Sequence, residues 1–93
     1  MGEKGWGALH YAIFCEAEEI LDELLVLDAD VNKCTSDGWL PIQLAINLKS
    51  RDYVEKLLED PNINLNLVTS KGAPIHTAAR LGQKDILMLI LEK

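Results

Sequence analysis

Apolar positions in this chain return at a fixed interval. Leu9, Ile42 and Ile75 stand thirty-three residues apart, and so do Ala12, Ala45 and Ala78. Ile20, Tyr53 and Ile86 keep the same step, as do Leu24, Leu57 and Ile90. The middle unit shows what one period contains. Asp37-Gly38 is a turn signal, and Pro41 suits the first position of a helix, where no backbone N–H is needed. Ile42, Leu44, Ala45, Ile46 and Leu48 follow as a short apolar helix. Ser50 is placed to cap a second helix, with Asp52 in its first turn. Tyr53, Val54, Leu57 and Leu58 then fall on one face. Asp60-Pro61 ends the helix, and residues 62–69, polar and rich in Asn, predict a loop.

The unit is therefore a helix of about two turns, a tight connection, a second helix of about two to three turns and an extended turn. Helices shorter than roughly 12–15 residues are marginal alone in water, so these units must bury their apolar faces against one another. A fixed period of this size predicts such a stack. The chain divides into units at about 4–36, 37–69 and 70–93, the last truncated, within a single domain spanning 1–93.

The aligned segments are GWGALHYA (5–12), GWLPIQLA (38–45) and GAPIHTA (72–78), with DADVN (28–32) echoed by INLN (63–66) and a third unit reading APIHTAARLGQKDILMLILEK (73–93). On these residues the chain resembles three ankyrin repeats. The resemblance implies an all-α solenoid of stacked helix-turn-helix units joined by β-turn fingers. It also implies a concave surface, made of fingers and first helices, on which a partner protein binds. Several positions depart from the family pattern. Its helix-capping Thr is replaced by Gly7, Leu40 and Ala73, and the losses at Leu40 and Ala73 cost about 1 kcal/mol each. The Gly that ends the first helix survives only as Gly82, with Glu16 and Lys49 in its place elsewhere; a non-Gly residue held at positive φ there costs on the order of 1 kcal/mol. One insertion before Asn66 and one deletion between Gly72 and Pro74 cancel, so the helices stay in phase.

Candidate partner-binding residues are those where the copies disagree. Trp6 and Trp39 follow the turn Gly on adjacent units, with Gly72 in that place on the third, and Trp is enriched at binding hot spots. Each Trp either meets a partner at an exposed tip or folds back over its own repeat. Tyr11, Leu44 and Thr77 form one variable row on the first helices, and Phe14, Asn47 and Arg80 form another; the resemblance places both toward the concave side. Trp6, Tyr11, Phe14 and Trp39 form the expected aromatic cluster. His10 and His76 match a family His that bonds turn backbone, and Gln43 replaces it in the middle unit.

Charge and composition narrow the classes. Net charge is −6, with eight acids against two bases in residues 1–36 and two acids against four bases in residues 71–93. Nucleic acid is disfavoured, because phosphate binding requires a basic footprint. No apolar run approaches the roughly 18–20 residues of a membrane span. Two cysteines outside any CxxC pair read as reduced thiols of an intracellular protein, cytoplasmic or nuclear. No orienting group or metal spacing accompanies His10 and Cys15, so neither catalysis, a metal nor a cofactor is expected. The last helix, residues 85–93, is apolar on every side, whereas terminal repeats ordinarily present a polar outer face. This predicts further repeats or a neighbouring domain after Lys93, or self-association. The protein is expected to be a non-enzymatic protein-interaction module; the alternative is a regulatory or targeting arm excised from a larger enzyme or channel.

Overall fold

The computed structural model describes residues 5–92. The unit boundaries expected at residues 4 and 93, and the helix end expected at Lys93, lie outside those residues. Six helices follow in order: α1 Ala8–Phe14, α2 Glu18–Val26, α3 Pro41–Asn47, α4 Arg51–Leu58, α5 Pro74–Arg80 and α6 Lys84–Glu92. Helices α1, α3 and α5 begin exactly one period apart, and so do α2, α4 and α6. Each first helix packs on its own second helix, α3 lies between α1 and α5, and α4 packs on α6. Among the described residues the only β-type pairing is an isolated bridge between Thr69 and Gly72.

The helix starts compensate for their weak caps. Gly7, Leu40 and Ala73 hold extended backbone at the N-cap and offer no side-chain acceptor. The residue three places on reaches back instead. The N–H of Gly7 donates to His10 Nδ1 (3.1 Å), that of Leu40 to Gln43 Oε1 (3.3 Å), and that of Ala73 to His76 Nδ1 (3.3 Å). This is the return half of a capping box. Ser50 occupies the N-cap of α4, but its side chain makes no capping bond, contrary to the sequence expectation; Asp52 does lie in the first turn.

The first helices end in a Schellman-type turn. The N–H groups of Ala17, Ser50 and Gln83 donate to the carbonyls of Ala12, Ala45 and Ala78, at 2.9, 3.0 and 3.0 Å. Closing this turn forces positive φ on Glu16 (55°), Lys49 (60°) and Gly82 (69°). Asp28 (62°) does the same after α2. Left-handed backbone strains a residue that carries a Cβ. Lys49→Gly is therefore expected to raise unfolding free energy by about 0.5–1 kcal/mol, part of the relief being offset by the greater freedom of Gly in the unfolded chain. Urea denaturation would measure it.

The core runs through all three units. Ile13, Leu21, Ala45, Ile46, Val54, Leu57 and Ala78 are completely buried. The small Ala12, Ala45 and Ala78 let neighbouring first helices approach closely. The loop at 62–69 is less detached than its polarity suggests. Ile63, Leu65 and Leu67 pack against the core, while Asn32 Nδ2 donates to the Asn62 carbonyl (2.8 Å) and the Asn64 N–H donates to Asn32 Oδ1 (2.9 Å). The apolar side of this loop holds it down, and the Asn side chains satisfy its backbone across the repeat boundary.

Candidate partner-binding surface

The fingers are built around threonines. Thr35 Oγ1 donates to Asp37 Oδ1 (2.6 Å) and accepts the Trp39 N–H (2.9 Å), and the Thr35 N–H donates to the Trp39 carbonyl (2.9 Å). The hydrogen bond from Thr35 holds the exposed Asp37 carboxyl below its usual range. Thr69 takes the same place in the next finger, which is one residue shorter. Its N–H donates to the Gly72 carbonyl (3.1 Å), and its hydroxyl donates to the Gly38 carbonyl (2.7 Å), tying one finger to the one before it. Gly38 and Gly72 turn the chain at φ of 92° and 89°. At Gly38 an added Cβ would also run into Ser70 Oγ.

A repeating bond locks α1 and α3 each to the finger that follows. His10 Nε2 donates to the Trp39 carbonyl (2.9 Å), and Gln43 Nε2 donates to the Gly72 carbonyl (2.7 Å). His10 accepts at Nδ1 and donates at Nε2, so only the neutral ring satisfies both bonds. Burial also disfavours its charged form and lowers its pKa, against the opposing pull of the Trp39 carbonyl. This geometry requires a His or Gln three residues into each first helix, with a finger carbonyl thirty-three residues beyond the preceding one. Residues 9–93 match the family described as ankyrin repeats (3 copies). The chain belongs to the ankyrin-repeat family. Proteins of this family generally act by binding other proteins.

Within this ankyrin domain the structure sorts the eight candidate residues. Phe14, Asn47 and Arg80 are exposed, one on each first helix. They form a continuous row along α1, α3 and α5. Leu44 and Thr77, expected on the partner-facing side, are instead buried. Their row points at the preceding repeat: Gln43 Nε2 reaches Thr77 Oγ1 at 3.4 Å from one unit to the next. Tyr11 belongs to that stacking row and is 41% exposed, because no described repeat covers the outer side of α1. In sequence a variable row and a stacking row look alike when neither follows the core period.

The two tryptophans are half-buried and packed against the core, so of the two alternatives each Trp folds back in part and keeps only part of its ring outside. Trp6 gathers Tyr11 (5.1 Å between ring centroids) and, edge-on, Phe14 (5.7 Å). Its indole Nε1 is buried without a hydrogen-bond partner among the described residues. Trp39 does not join this cluster. Its ring lies beneath Lys71 Nζ, 4.9 Å from the centroid, a cation–π arrangement that the sequence did not suggest, since Lys71 comes from the neighbouring finger. Among the described residues no group of His, Cys, Asp and Glu forms a metal-ligand set, and no helix is long and apolar enough to cross a membrane.

Proposed function

We propose that this domain holds a segment of a partner protein along the row Phe14, Asn47 and Arg80, flanked by Trp6 and by the Trp39–Lys71 pair. The observation that carries the reading is that this row stays exposed in all three repeats, while Leu44 and Thr77 of the neighbouring row are consumed by stacking. Half-buried tryptophans beside it offer rigid apolar area at little entropic cost, as hot spots require. The row changes from aromatic through amide to cation, so it favours a partner segment with an apolar end and an acidic end. The acidic first repeat adds preference and association rate for a basic surface near the apolar end. No step in this reading requires catalysis, a metal or a cofactor. The exposed thiols of Cys15 and Cys34 suit a reducing, intracellular compartment.

Peptides selected on the wild-type domain from a random display library test the reading. Phe14→Ala and Trp39→Ala are each expected to weaken the selected peptides at least about tenfold, in line with hot-spot losses above 1 kcal/mol. Unchanged affinity for both variants, with native circular dichroism, would refute the assignment.

A second reading has its own support. The outer side of the third repeat carries Met88 and Leu91 exposed and Leu87 and Leu89 half-buried. Such a face suits an arm of a larger protein that packs on further repeats or on a neighbouring domain.

A further inference from the structure

We propose that the two end faces of this chain bind each other, so that a second copy continues the stack head to tail. The face that each repeat offers to the next uses Ile42, Ile46, Val54 and Leu58 in the middle unit, all buried. The corresponding residues of the third repeat are Ile75, Ala79, Leu87 and Leu91; Ile75 and Leu87 are half-buried, Ala79 is exposed, and Leu91 is 60% exposed. His76, in the place of His10 and Gln43, is exposed and bonds its own helix start through Nδ1. Its Nε2 is thereby left in the donor role that His10 and Gln43 use on the next finger.

Among the described residues the opposite face is uncovered in the same way. Tyr53 and Ile86 are buried against the preceding unit, whereas Ile20, one period earlier, is 57% exposed. Tyr11 stands where Leu44 and Thr77 are buried. The chain therefore presents a donor face at one end and an acceptor face at the other, related by the step that already joins its own repeats.

Charge decides for a second copy. Inside the chain, Lys56 bridges Asp22 (2.8 Å) and Glu18 (3.6 Å) of the repeat before it, and Arg51 bridges Asp85 (3.7 Å) of the repeat after it. One more step of the same geometry places Lys84 at the position of Glu18 and Arg51. Opposite it come Glu23 of the second copy, in the place of Lys56, and Glu19 of the second copy, in the place of Asp85. The sign of the Lys56–Glu18 pair is reversed and complementarity is kept. The Trp6 carbonyl of the second copy falls where the Trp39 and Gly72 carbonyls sit, within reach of His76 Nε2. Lys84 on one end and Glu19 with Glu23 on the other attract each other, which steers encounter as well as register. Such an interface is heterologous, so copies add in a line.

Sedimentation velocity on the full chain, from dilute to millimolar concentration at low salt, tests the proposal. The weight-average mass is expected to climb to at least double the monomer value, and to fall back as salt screens the pairs. Lys84→Glu alone and Glu19→Lys/Glu23→Lys alone are each expected to stay monomeric, while an equimolar mixture regains the rise, since each variant then finds an opposite charge. A wild type that stays monomeric at every concentration overturns the proposal and leaves the faces to a further repeat or another domain. Association that survives Lys84→Glu, or a mixture that fails to recover with both variants folded, overturns the register.

Discussion

Leu57→Ala is expected to remove most of the stability of the domain. Leu57 is completely buried in α4, the second helix of the central repeat. Truncating a buried Leu loses its transfer free energy and leaves a cavity, together about 2–5 kcal/mol. The upper half applies here, because the site is held on two sides and cannot collapse: α4 packs on both α3 and α6. A domain of this size holds on the order of 5–14 kcal/mol in all. Its left-handed Glu16, Lys49 and Asp28 and its N-caps without acceptors argue for the lower part of that range. A loss of about 4 kcal/mol would lower Tm by roughly 16–32 °C. Leu91→Ala is the control. The same residue type on α6, largely exposed, should shift stability by no more than about 0.5 kcal/mol. Parallel thermal and urea melts of the two variants decide the matter. Equal losses would mean that Leu57 is not the central packing residue its burial indicates.

His10 should make stability depend on pH in a way Gln would not. Its ring is fully buried and satisfied at both nitrogens only when neutral. Its pKa in the folded protein is depressed below the ordinary 6.5. Between the folded value and 6.5 the unfolded chain binds more protons, so stability rises with pH there, is complete above about 6.5, and is lost as pH falls through that window. The slope approaches at most about 1.4 kcal/mol per pH unit. His10→Gln copies what Gln43 does one repeat later. It is expected to keep the fold within about 1 kcal/mol at neutral pH and to abolish this part of the pH dependence. His10→Ala should cost about 2–4 kcal/mol, combining a cavity with the loss of bonds to Gly7 N–H and the Trp39 carbonyl. Urea midpoints for the wild type and both variants from pH about 7.5 to about 5.5 check it. A wild type and a Gln variant with parallel pH profiles would show that His10 does not carry the effect.

Much of the fold was legible because it is periodic. The step that aligns Leu9 with Ile42 and Ala12 with Ala45 follows from the need of each short helix pair for a neighbour, and that need is written into every copy. Glu16 and Lys49 at positive φ were legible too, since the turn they close is the one Gly82 closes. The candidate surface was legible only in part. Phe14, Asn47 and Arg80 remain outside, but Leu44 and Thr77 vary for a different reason: each fits whatever the preceding repeat presents. Lys71 over Trp39, and Asn32 bridging to the Asn62–Asn64 loop, join residues about one period apart, and no local pattern marks such pairs.

The sequence by itself determined the period, the helix pairs, the finger turns and the residues that fill the core, because these follow from local propensity and from burial repeated along one chain. Only the tertiary structure decided which variable row is spent on stacking, where each Trp rests, and which apolar residues stand exposed at the two end faces. Those features depend on how adjacent repeats are set against one another, and that relation lies in the contacts between units rather than in any unit alone.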